Sequence, residues 1–147
     1  MFKHILLATD GSAASANAAR LAIDLARVQG ARLTAVYVVD PFPYLGIADT
    51  NPMGLHAYLS AARDHAAAAH AQVAAMCNEP GRPPLDLQLR LVEDVPAAKG
   101  ILRTALDENA DLIVTGSHGR GGVEGLMLGS VAARVVARST VPVLVAR

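Results

Sequence analysis

HILLAT (4–9) is mostly apolar and RLTAVYVV (32–39) is β-branched and apolar, while DLIVTG (111–116) and PVLVA (142–146) read as two further strands. A strand with one wet face alternates polar and apolar residues. A strand apolar on both sides must be covered on both sides, as in a parallel sheet with helices above and below. A fifth run, LDLQLRLV (85–92), does alternate, and fits a strand at the sheet edge. Helical stretches separate the runs, and crossovers of that length join parallel strands with right-handed connections. The expectation is an α/β fold, a doubly wound five-stranded parallel sheet in a βαβαβαβαβ chain. At 147 residues this is one domain, 1–147, with no internal repeat.

Local signals mark the helices. Ser12 can cap the first, where Ala18, Leu21, Ala22, Leu25 and Ala26 recur at helical spacing until Gly30 stops it. The segment DPFPYLGIADTNP (40–52) carries three prolines and is expected to be irregular. From Gly54 to about Asn78 the alanine-rich sequence predicts a long helix, ended by NEPGRPP. Residues 97–110 predict a third helix. Residues 129–139 predict a fourth, with Val131, Val135 and Val136 on one face.

Composition excludes several function classes. The formal net charge is zero, so nothing steers the chain toward a polyanion, and five aromatic residues are too few for a base-stacking platform. No nucleic-acid partner is expected. The single cysteine, Cys77, cannot form an internal disulfide, and no neighbour in sequence activates it. No run reaches the roughly 18 apolar residues that span a bilayer, and no signal peptide opens the chain, so the expected location is cytoplasmic, without a membrane partner.

The chemistry concentrates after the first and fourth strands. TDGS (9–12) follows the first. The fourth opens into VTGSHGRGGVEGLMLGS (114–130), with six glycines in the spacing Gly116-x2-Gly119-x9-Gly129-Ser130. In a sheet ordered 3-2-1-4-5 these loops face each other at the switch point, where such folds bind ligands. Bare N–H groups at the start of the last helix favour an anion, and Ser130 adds a hydroxyl. A branched side chain at Gly129 is expected to occupy the phosphate position. Neither G-x-x-x-x-G-K-[ST] nor G-x-G-x-x-G occurs.

With that spacing complete, the chain resembles the ATP-binding branch of the universal stress protein family. KHILLATDGS, VYVVDP, ADLIVTGSHGRGG and LGSVAARVVARSTVPVLVAR carry the likeness, while 41–92 shares only general character. The resemblance implies an adenine-nucleotide α-hydrolase-like fold and an ATP site. Thr9 and Asp10 would lie near the ribose and adenine, Val38 against adenine through its backbone, and Gly116 at the nucleoside. Gly119, Arg120, Gly129, Ser130 and Val131 would surround the phosphates. Magnesium or manganese often accompanies the triphosphate. Members commonly form a homodimer, often through the last strand, here 142–146. One departure stands out: the family often places glycine in the turn after its third strand, and VEDVPAAKG has none until Gly100.

The implied function is nucleotide-dependent regulation or stress signalling through the dimer or an unknown protein partner. The alternatives are a slow ATP-hydrolysing enzyme and a nucleotide-independent member of the family. No catalytic residue is assigned. Asp10 accepts ribose hydrogen bonds in one reading and caps the first helix in the other. His118 reads as a loop histidine bonded locally, and Arg120 as either a phosphate contact or a solvated residue. His65 and His70 are five apart, off the i, i+4 spacing of helical metal ligands, so no protein metal site is expected. A phospho-receiver domain is excluded, since it needs an acidic cluster after the first strand and a lysine after the last.

Overall fold

The computed structural model describes residues 1–43, 52–119 and 127–147. Strands β1 (His4–Ala8), β2 (Arg32–Val39), β3 (Leu87–Glu93), β4 (Leu112–Gly116) and β5 (Val143–Ala146) alternate with helices α1 (Ala13–Gln29), α2 (Pro52–Cys77), α3 (Ala97–Asp107) and α4 (Ser130–Arg138). All neighbouring strands are parallel, in the order β3-β2-β1-β4-β5. This is the expected topology, and β1 and β4 lie side by side at its centre.

The apolar runs explain themselves in cross-section. Ile5 and Leu7 pack under α1 and α2 with Leu33, Ala35 and Val114. Leu6 and Ala8 face the other way, under α3 and α4, with Val36 and Ile113. Every residue of β1 and β4 is buried. Strand β3 takes the expected edge position, but its burial does not alternate: no residue is fully buried, and Leu89 and Leu91 are exposed along with Arg90.

Helix ends follow the local chemistry. Ser12 caps α1, its Oγ accepting the Ser15 N–H at 3.2 Å, and Gly30 ends it in the left-handed conformation at φ +64°. Helix α2 begins two residues before the expected Gly54. Pro52 opens it, and proline suits a first helical turn because the N–H it lacks has no partner there. Arg27 donates to the Cys77 carbonyl at 2.7 Å, closing the far end of α2. The turn after β3 is made without glycine: Asp94 takes φ +60°, a conformation that Asp and Asn tolerate better than most residues. Helix α3 has no side-chain cap of its own at Pro96. Instead Asp40, just past β2, accepts the Ala97 N–H at 3.1 Å.

A buried polar network closes the amino ends of the strands. His4 Nε2 meets Thr34 Oγ1 at 2.7 Å, and Thr34 donates to Glu108 Oε2 at 2.9 Å. Arg90 pairs with the same carboxylate. The carboxyl ends of the strands are where the chain opens.

Candidate functional site

Two turns meet at the carboxyl ends of β1 and β4. After β1, the Thr9 N–H donates to Val36 O at 3.0 Å, and Asp10 Oδ1 accepts the Ser12 N–H at 2.9 Å. Asp10 therefore folds the turn, with Gly11 at φ +81°, while Ser12 caps the helix. After β4, the Ser117 N–H donates to Ala146 O at 2.7 Å, and Ser117 O accepts the Gly129 N–H at 2.7 Å. These two bonds fix both ends of the glycine-rich loop. A Cβ at Gly119 would stand 2.9 Å from Asp10 Oδ2, so the two turns touch.

Between them lies a cleft of about 610 Å³. Thr9, Asp10, Ser15, Ser117 and Ser130 supply polar lining, and Ala8, Val36, Val38, Ile101 and Val131 apolar lining. Of the nine residues singled out in the sequence, Thr9, Asp10, Val38, Gly116, Gly119, Gly129, Ser130 and Val131 all line it. Arg120 lies outside the described residues.

Val38 has a backbone feature that its side chain hides. The Val36 carbonyl points toward β1, where it meets Thr9. Groups two residues apart in a strand point the same way, so the Val38 N–H and C=O also face that side. Strand β1 has already ended, its pairing with β2 stopping at Ala8 and Val36. One donor and one acceptor are thus directed past the end of β1 into the cleft.

At the other end, α4 starts with no side-chain cap. Its first intrahelical bond runs from the Ala133 N–H to Gly129 O at 2.9 Å, so the N–H groups of Ser130, Val131 and Ala132 precede the ladder. All three residues line the cleft. The helix dipole adds partial positive charge at this point.

The glycines also make room within the fold itself. A Cβ at Gly129 would meet Ser117 O at 3.1 Å and His118 Cα at 3.3 Å, so a side chain there would press on its own loop. The Gly129 N–H is also taken, by Ser117. A Cβ at Gly116 would come within 2.9 Å of the Ala14 carbonyl carbon, so this glycine lets α1 sit on the end of β4.

The far wall was not visible in the sequence. Tyr58, Ala61, Ala62 and His65 come from α2, and Ala97 from α3. No motif marks them, because they reach the cleft through the path of the crossovers. Tyr58 donates to Asp40 O at 2.8 Å, and burial followed by the charge of Asp40 pushes its phenol above the ordinary value. It stays a neutral donor. His118 Nδ1 sits 3.0 Å from Ser117 Oγ, the local bond expected of it. Among the described residues no group of three His, Cys, Asp or Glu side chains could hold a metal ion, and no helix is long and apolar enough to cross a membrane.

Known proteins share this architecture. A universal stress protein of Thermus aquaticus is 40% identical over 148 residues, with both chains covered completely. The universal stress protein UspA from Lactobacillus plantarum superposes with a TM-score of 0.82 at 28% identity, over 99% of this chain and 97% of that one. A universal stress protein crystallised in complex with cAMP superposes with a TM-score of 0.63 at 25% identity, over 99% and 97% of the two chains. The profile of the universal stress protein family matches residues 1–147, and the chain belongs to that family.

Proposed function

We propose that the cleft binds an adenine nucleotide, with ATP the ligand that fits its two ends. The Val38 backbone carries the reading, since one donor and one acceptor face an apolar space beyond β1. That pair matches the edge of an adenine ring, which offers an acceptor nitrogen beside an exocyclic amine. Thr9 and Asp10 lie between that end and the glycine loop, where Asp10 accepts ribose hydroxyls. The phosphates lie at Gly119 and on the N–H groups of Ser130 and Val131, helped by the Ser130 hydroxyl. Arg120 follows Gly119 in the chain and is assigned to the phosphates with it. The relative crystallised with cAMP supports an adenine nucleotide in this family's cleft.

A magnesium or manganese ion would accompany the triphosphate and offset its charge. The chain's own residues bind and orient, and none is assigned to chemistry. Occupancy is then a signal, passed through a homodimer or a protein partner in the cytoplasm. Strand β5 is the free edge beside β4 and the natural pairing surface for a second copy. Calorimetric titration of ATP with magnesium into nucleotide-free protein tests the reading. Saturable binding is expected, and no heat of binding at millimolar ATP would remove it.

A further inference from the structure

Gly100 lies inside α3, its N–H bonded to Pro96 O at 2.9 Å. Its φ is not in the left-handed range, so no backbone conformation requires glycine there. Glycine inside a helix is destabilising relative to alanine, so its presence needs another reason. The reason is a neighbour. A Cβ at Gly100 would stand 2.7 Å from Val38 Cγ1, 2.9 Å from Val38 Cγ2 and 3.1 Å from Val95 Cγ1. Real side chains do not approach that closely.

The space left by the missing side chain is thus filled by both methyls of Val38. This residue is partly exposed, while Leu33 to Tyr37 and Val39 are buried. On one side it meets α3, and on the other it lines the cleft with Ala97 and Ile101. With nowhere to retreat in a closely packed wall, it would turn toward the cleft if α3 carried a methyl at 100. We infer that Gly100 is a specificity-determining positioning residue. By receiving Val38 it holds the base end of the cleft open to the width of a purine. The inference rests on the adenine-nucleotide reading above and adds to it a residue that no ligand touches.

The test compares ATP and CTP binding by calorimetry, with magnesium, to wild type, Gly100→Ala, Val38→Ala and the double variant. Crowding at the base end penalises a purine more than the smaller pyrimidine. In Gly100→Ala, ATP affinity is expected to fall about tenfold while CTP affinity changes by less than about threefold. A general loosening of the fold would lower both alike. Removing the Val38 methyls relieves the two closest overlaps and leaves only Val95 Cγ1 at 3.1 Å, so the double variant is expected to bind ATP within about threefold of Val38→Ala. Should Gly100→Ala not fold, that comparison carries the test alone, and a folded double variant that loses ATP while Val38→Ala binds it overturns the inference. Unchanged ATP affinity in folded Gly100→Ala also overturns it, leaving the nucleotide reading intact. Wild type that binds neither nucleotide removes both.

Discussion

Asp10 Oδ2 lies 2.9 Å from where a Cβ would stand on Gly119. The turn after β1 and the loop after β4 are therefore in contact across the centre of the sheet. A side chain at 119 would therefore press on Asp10, so the spacing of the two turns depends on a glycine at this position.

Gly119→Ala is expected to weaken ATP binding about tenfold with little loss of stability, because the clash is with a partly solvated carboxylate at the cleft edge. In an Asp10→Ala background the same substitution should cost much less. A calorimetric double-mutant cycle reads this directly. Equal losses in both backgrounds would mean that the Asp10 contact is not the cause.

The fold was legible because its physics is local and repeated. Ile5 to Leu7 and Leu112 to Val114 must be covered on both faces, and only a central strand of a parallel sheet satisfies that. The two turns were legible through glycine spacing and the residues at strand ends. What each glycine makes room for was not, since the sequence shows a missing side chain but not the atom that fills its place. Gly116 makes room for Ala14 and Gly100 for Val38, both distant in the chain. The contribution of Tyr58 and His65 was hidden for the same reason. Asp94 shows the opposite case, a left-handed turn made without glycine.

Gly116→Ala should separate packing from binding. Its Cβ meets backbone, the Ala14 carbonyl carbon at 2.9 Å and oxygen at 3.0 Å, and backbone cannot swing aside as a side chain can. A loss of about 1–3 kcal/mol is expected in urea unfolding, larger than for Gly119→Ala.

Glu108→Ala should destabilise without touching the cleft. It removes the acceptor of Thr34, a fully buried hydroxyl beside His4, and the partner of Arg90. The expected cost is about 1–3 kcal/mol in urea unfolding. The network lies at the amino ends of the strands, so ATP affinity at saturating stability should match wild type.

His70 predicts the acid limb of stability. Burial lowers its pKa below the ordinary value, more than hydrogen bonding at the Arg90 and Ala35 backbone raises it. The folded chain therefore holds His70 neutral at a pH where the unfolded chain has already taken the proton. Its contribution is present above the unfolded pKa of about 6.5 and is lost as pH falls below it. Urea unfolding at about pH 7.5 and about pH 5.5 should show a smaller gap for His70→Gln than for wild type. An identical gap would assign the acid limb to other groups.

Gly129→Val tests what the last glycine of the loop does. Its Cβ would press on Ser117 O at 3.1 Å and His118 Cα at 3.3 Å. The branched side chain should push the loop entrance off α4 and break the 2.7 Å bond from the Gly129 N–H to Ser117 O. Stability and ATP binding should then fall together, stability by about 1–3 kcal/mol. Ser130→Ala makes the contrast. It removes only a hydroxyl from an exposed position at the start of α4, so it should weaken ATP binding while the urea midpoint stays near wild type. If Gly129→Val lost ATP binding with stability untouched, the side chain would be filling the phosphate position itself, and the role of Gly129 in seating the loop would be wrong.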